Sequence, residues 1–242
     1  MDNYFNKEIQ DWLWQRKGRI TSSEYWKLTK GGRRDMTDEE LEIEKKSGGK
    51  RKTIDTLFGE GAITYIRSKV TELQSSEIKE EVDFKQTEWG KNNENDAVIE
   101  FEKVTGLKID YYGILTPVFI RYGDYAGGSP DFKVKNQRII GEIKCPYDEN
   151  KHTQRLLIKT LDEFKQIETE AWHQCQMNMV VTDTDYCYYA SYDPRKVDER
   201  LRIKIIKIPK CEDWRNDFEI RYNAAVEMMA DMLYDTDKYL II

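Results

Sequence analysis

Ser129–Pro146 reads SPDFKVKNQRIIGEIKCP, and the fold turns on how this stretch pairs with itself. Two short runs of alternating apolar and polar residues flank the polar link Lys135-Asn136-Gln137-Arg138, the pattern of a β-hairpin. With Asn136-Gln137 as a two-residue turn, Asp131 falls directly opposite Glu142. Lys144, two residues further along, then shares the face of Glu142. Two carboxylates opposed on one sheet face repel each other and weaken the pairing. Such an arrangement needs a compensating partner.

Working outward, the whole chain has 242 residues, the size of one large domain with ample material for a core. Charged residues make up 35% of it, so its surface is heavily ionised. No apolar run is long enough to span a bilayer, and MDNYFNKEIQ lacks a signal-peptide core. The four cysteines (Cys145, Cys175, Cys187, Cys211) form no CxxC pair, which points to reduced thiols and a cytoplasmic setting. A formal charge of −6 speaks against a polyanionic partner only weakly, because the placement of Lys and Arg matters more than their sum.

The basic residues are clustered. Gln15–Arg34, QRKGRITSSEYWKLTKGGRR, interleaves Lys and Arg with Tyr25 and Trp26, and Lys45–Lys52, KKSGGKRK, adds a second block. Taken alone, these blocks are equally well explained as solvated loop. Residues 31–49 carry paired glycines and the acidic run DEELEIE, which reads as a mobile excursion within one domain.

Periodicity predicts helices ending near Gln15, over Lys52–Val70, Thr87–Val104 and Leu161–Met179, and over Trp214–Leu233. It predicts strands at Val118–Tyr122, Asp131–Val134 and Arg138–Lys144, and again in YCYYASYD and LRIKIIKIP. A helix start is expected in TSSEYWKL, with Thr21, Ser22 or Ser23 as N-cap. The sum is a mixed α/β (α+β) architecture.

A second carboxylate stands out in EWGKNNENDAVIEFEKVTG. Ala97, Val98, Phe101 and Val104 form an apolar stripe that Gly106 ends, and Glu94 lies on that stripe. An inward carboxylate is costly unless paired. It either reaches water at a frayed helix end, pairs with an arginine, or meets a cation. Asp131, Glu142 and Glu94 together suit a hard divalent cation, Mg²⁺ or Mn²⁺, bound through oxygen and retained water. Lys144 then holds or deprotonates an attacking water, or meets negative charge developing on a phosphate. The plainer alternative is a Lys144–Glu142 salt bridge, which leaves Asp131 unexplained.

These residues carry a resemblance. SPD at 129–131 followed by GEIKCP at 141–146 is similar to the PD-(D/E)xK nuclease signature, and more narrowly to the phage lambda exonuclease group, the YqaJ-like viral recombinase family. EWGKNNENDA (88–97) resembles that family's W-G-x-x-x-E-x-x-A helix, and RKGRITSSE (16–24) its R-x-G-x-[IV]-T-x-S motif. HQCQMNM resembles its Q-x-Q element, and YYASYDPR the strand and turn that follow. The matches run in consistent order from about Asp11 to Arg195.

The resemblance implies a restriction-endonuclease-like core, a central mixed sheet flanked by helices. It implies a single nuclease domain over 1–242, with the core at about 87–195, a DNA-end-binding segment at about 11–34, and a C-terminal strand and helix over 200–242. Asp131 and Glu142 would bind Mg²⁺ together with the carbonyl of Ile143, and Lys144 would position and activate the water. Glu94 would support the site or a second ion, and Gln174 would orient the water or the lysine, although by itself Gln174 also reads as a core amide. Arg16 would bind a phosphate near a 5′ end, with Ser23 as a further contact. The implied activity is Mg²⁺-dependent 5′-to-3′ exonucleolysis of double-stranded DNA ends for phage-type recombination. A trimeric homo-oligomer and a single-strand annealing protein are the implied associations. The competing readings are an endonuclease, a Cas4-like nuclease (for which the cysteines are wrongly spaced), and a non-catalytic DNA-end-binding protein.

Overall fold

In the computed structural model the described residues are 2–78, 85–113 and 116–238, with the side chains of 2–6, 85–87 and 91 left aside. The centre is a five-stranded mixed sheet of order β10-β9-β8-β7-β4. Its strands are β4 (Ile109–Tyr111), β7 (Phe132–Val134), β8 (Ile139–Lys144), β9 (Tyr186–Tyr192) and β10 (Ile203–Pro209). All neighbours are antiparallel except β8 and β9. A parallel pair needs a crossover. Here the crossover is helical: α5 (Glu149–Leu156), α6 (Leu161–Ile167) and α7 (Thr169–Thr182).

The hairpin register is the expected one, with Phe132 opposite Gly141 and Lys133 opposite Ile140. The turn itself differs. Gln137 N–H bonds to the Val134 carbonyl at 3.3 Å, so Lys135-Asn136 occupy its centre, and Asn136 takes the left-handed φ of 59° that asparagine tolerates. The ladder also loosens before Asp131, whose N–H donates to Gly141 O at 3.0 Å.

Helix α4 (Lys85–Thr105) covers one sheet face, burying Ala97 and Phe101 against Phe132, Ile143 and Ala190. Phe101 and Phe132 are fully buried with ring centroids 4.8 Å apart, so truncating either costs about 3–5 kcal/mol. Gly106, at φ 69°, ends the helix as expected, but Val104 points outward and is exposed. Helix α7 covers the other face, where Phe164, Trp172, Cys175 and Met179 pack on Ile140, Cys187, Tyr189 and Ile208.

A second, three-stranded sheet joins β1 (Ile20–Thr21), β6 (Ala126–Gly128) and β5 (Ile120–Tyr122). It packs on α3 (Glu60–Gln74) and α8 (Glu212–Lys238), with Tyr25, Ile66, Phe218 and Met229 at its core. The N-terminal helix α1 (Asp2–Arg16) ends at Gly18, whose φ of 69° and close approach to Leu73 suit only glycine.

Three expectations are corrected. Lys52–Val70 is not one helix: Thr53–Thr56 forms β3, paired antiparallel with β2 (Gly32–Asp35), and α3 starts only at Glu60. Between β2 and β3 the excursion contains helix α2 (Asp38–Lys46), started by a capping box of Thr37 and Glu40. Leu161–Met179 is broken at Glu168, whose carboxylate is drawn out of the helical run by Arg155 (2.8 and 3.0 Å) and Tyr189 (3.2 Å). In TSSEYWKL the helix is a short 3-10 turn, Tyr25–Thr29, with no side-chain cap. Thr21 ends β1 instead, and Ser22 N–H bonds to Gly127 O.

Candidate active site

Strand β8 carries Glu142 and Lys144 on the face that α7 covers. Lys144 Nζ lies 2.6 Å from Glu142 Oε1 and 3.2 Å from Gln174 Oε1. The other carboxylate oxygen of Glu142 accepts from Asn178 Nδ2 at 3.3 Å. Glu142 is 1% exposed, so both of its oxygens draw donors from the protein. Lys144 keeps just over a third of its side chain in solvent, at the open end of the strand.

Asp131 enters from the loop before β7, and its Oδ2 accepts the Ile143 N–H at 2.6 Å. Burial holds the Asp131 carboxyl well above the usual aspartate range, and repulsion from Glu142 and then Glu94 adds to this. Lys144 and the Ile143 N–H pull the other way without prevailing. Glu94, from the first half of α4, is also raised, first by burial and then by Glu142, against a hydrogen bond from the Tyr111 hydroxyl and the charge of Lys144. Burial alone would discharge Lys144, but Glu142 and Asp131 outweigh it and raise its pKa above the ordinary lysine value.

The cluster is thus three carboxylates around one ammonium, an excess of negative charge in a partly buried setting. Among the described residues, no three His, Cys, Asp or Glu side chains are already arranged as a metal cage. The donor set still fits a hard cation that keeps several waters, for which one or two carboxylates suffice. The neighbouring thiol does not compete. Burial, with Glu94 and Asp131 behind it, pushes Cys145 up to about 12, so it stays protonated and a poor soft-metal ligand.

The chain leaving β8 is clamped. Arg195 grips Asp193 with two hydrogen bonds of 2.8 and 2.9 Å and donates to the carbonyls of Tyr147 and Pro146. Its guanidinium lies 4.4 Å from the Trp89 ring on α4. One residue thereby ties together the segments that carry Lys144 and Glu94.

Arg16 stands 4.2 Å over the ring of Trp12, whose indole N–H donates to Ser129 Oγ at 3.0 Å. That links the end of α1 to the loop delivering Asp131. Ser23 is half-buried and meets Thr21, oxygen to oxygen at 3.3 Å. The expected helix N-terminus at 21–23, offering free amides to a phosphate, is not there: Thr21 and Ser22 N–H are spent on Tyr65 and Gly127. His173 accepts the Trp214 indole N–H at 2.8 Å and lies outside the carboxylate cluster. Asn178 and Tyr111 also reach the cluster, although no sequence motif assigns them a place there. Asn178 is nonetheless legible from helical period, because it stands one turn after Gln174 on the same helical face.

A mixed sheet flanked by helices, with Glu142 and Lys144 on one strand and Asp131 brought beside them from the preceding loop, is a nuclease fold of the PD-(D/E)xK type. The chain matches the model of the YqaJ-like viral recombinase domain over residues 11–185, and it belongs to that family. It is a nuclease. No curated protein matches it. Its fold is similar to that of an alkaline exonuclease (LHK-Exo) from Laribacter hongkongensis, 18% identical with a TM-score of 0.69, covering 95% of this chain and 96% of that one. The structure of LHK-Exo in complex with dAMP gives a TM-score of 0.70 at 18% identity, with the same coverage. A phage-related exonuclease from Haemophilus somnus 129PT is 15% identical with a TM-score of 0.64, over 90% of this chain and 96% of that one. Among the described residues, no helix is long and apolar enough to cross a membrane.

Proposed function

We propose that this chain is a divalent-metal-dependent exonuclease that resects the 5′-ended strand of duplex DNA ends for recombination. The observation that carries the proposal is Lys144, held between Glu142 and Gln174 beside the half-buried Asp131, whose Oδ2 accepts the Ile143 N–H. Asp131, Glu142 and the Ile143 carbonyl would hold Mg²⁺, or Mn²⁺ in its place, with Glu94 supporting them or a second ion. When bound, such an ion polarises the phosphate and makes a water more acidic.

The remaining work falls to the protein. The Lys144 ammonium is stabilised by two acids and stays charged at neutral pH. That favours holding the attacking water or meeting charge on the phosphoryl oxygens over abstracting a proton. Gln174 fixes the direction of the ammonium. Arg16 offers a guanidinium to a terminal phosphate, with Ser23 as a further contact. The same reading includes a homo-oligomer, trimeric by family resemblance, acting with a single-strand annealing protein in a cytoplasm.

The test is to incubate linear and covalently closed duplex DNA with and without Mg²⁺. Consumption of linear DNA alone, and only with Mg²⁺, supports the proposal. Nicking of closed circles at a similar rate replaces it with an endonuclease.

A further inference from the structure

Asn178 has no part in the signature that the sequence displays, yet it is the only residue besides Lys144 that the described structure shows donating to the Glu142 carboxylate. Its side chain is completely buried. Its Nδ2 donates to Glu142 Oε2 at 3.3 Å, while its Oδ1 is buried with no protein partner among the described residues. A buried acceptor left unpaired is uncommon and calls for a reason. Turning the amide over would not help, because Oδ1 would then face a carboxylate oxygen. Glu142 dictates the orientation, and the cost of the orphaned oxygen follows from serving it.

The surroundings are shaped for this. Gln174 and Asn178 stand one turn apart on α7, so one amide meets the lysine and the other the acid of the same pair. On the far side lies Gly128, where any Cβ would overlap Asn178 Oδ1 and crowd Val181 and Ser22. Gly128 does not have a left-handed φ, so backbone freedom is not its reason; space for Asn178 is. The chain leaves this strand at Gly128 and runs through Ser129 and Pro130 to Asp131.

We propose that Asn178 is a positioning residue for the proposed metal site: it fixes the Glu142 carboxylate so that one oxygen faces the cation and Lys144, and Gly128 is the space that lets it do so. This rests on the functional reading above. Partners that orient metal ligands typically change affinity by about 10–100-fold when removed.

The experiment measures Mg²⁺ binding calorimetrically, alongside kcat and KM on linear duplex and thermal unfolding, for the wild type, Asn178→Ala and Gly128→Ala. Expected are Mg²⁺ dissociation constants raised about tenfold or more in both variants, a lowered kcat at saturating Mg²⁺, and an unchanged KM for DNA. Gly128→Ala keeps the amide, so its defect would come from displacement and not from lost chemistry. If the unfolding temperature falls in both variants while Mg²⁺ affinity and kcat stay at wild-type values, Asn178 is merely structural and the inference is overturned. If Asn178→Ala does not fold, a Gly128→Ala protein with normal Mg²⁺ affinity also overturns it. A wild type that binds no Mg²⁺ refutes the underlying functional reading instead, and the two failures are told apart by that control.

Discussion

Lys144 Nζ sits 2.6 Å from Glu142 Oε1 and 3.2 Å from Gln174 Oε1, so a charge pair and an amide together aim one ammonium along the sheet face. Replacing Lys144 by Ala leaves Glu142 buried with one donor fewer. Turnover is expected to fall by orders of magnitude with a smaller loss of DNA binding, because the ammonium acts on charge that develops in the transition state. The variant should be less stable without Mg²⁺ and regain stability with it, as a cation replaces the lost charge. Lys144→Arg should rescue poorly, since a planar fork cannot take the place of a compact ammonium. Single-turnover kinetics and DNA-binding isotherms check this. Equal losses in binding and turnover would make Lys144 a phosphate anchor.

Asp131→Asn removes one charge from a crowded acidic cluster and can keep the acceptor for the Ile143 N–H. Hydrolysis should be abolished, whereas the metal-free protein should be as stable as the wild type or more so, by up to about 1 kcal/mol. Urea denaturation in EDTA reads the stability. A clear destabilisation would mean that the Asp131 charge supports the fold.

The site's central register was legible because it depends on local alternation: the residues from Ser129 to Pro146 set their own pairing through one short turn. Glu94 could be flagged as inward-facing by helical period alone. What sequence could not supply was contact between distant segments. The break at Glu168 exists because Arg155 and Tyr189 claim its carboxylate, and the chain brings them there only on folding. Thr53–Thr56 reads as the start of a helix until Gly32–Asp35 is seen beside it. β6, Ala126–Gly128, has too little side chain to look like a strand, and the reason for Gly128 shows only once Asn178, Val181 and Ser22 are seen packed against it.

Glu168→Gln tests that break. Arg155 is 8% exposed, and it would lose a two-pronged ion pair with nothing to replace the charge. Breaking one partner of a buried pair typically costs about 3–5 kcal/mol. Chemical denaturation should show a loss in this range with Mg²⁺ affinity little changed. A loss under about 1 kcal/mol would place the pair among ordinary surface bridges.

His173 gives the fold a pH dependence. Burial lowers its pKa to about 4 from an ordinary 6.5, and its Nδ1 accepts the Trp214 N–H, which requires a bare nitrogen. The unfolded chain binds this proton more readily, so stability is full above about 6.5 and is lost as pH falls towards 4. The largest possible contribution is on the order of 3 kcal/mol. His152, also lowered chiefly by burial, acts in the same direction. His173→Asn, which can still accept from Trp214, should flatten the decline between pH 6.5 and 4. An unchanged slope would assign the decline to other groups.

Glu142 joins every part of the proposed chemistry, since it meets Lys144, Asn178 and the repulsion from Asp131 at once. The most direct measurement is the rate at which Glu142→Gln degrades linear duplex DNA in saturating Mg²⁺, with folding verified by its unfolding transition. A folded protein slowed by more than about a hundredfold is expected, beyond the loss usual for a residue that only orients a ligand. A folded Glu142→Gln that works within a few-fold of the wild type would contradict the proposed chemistry.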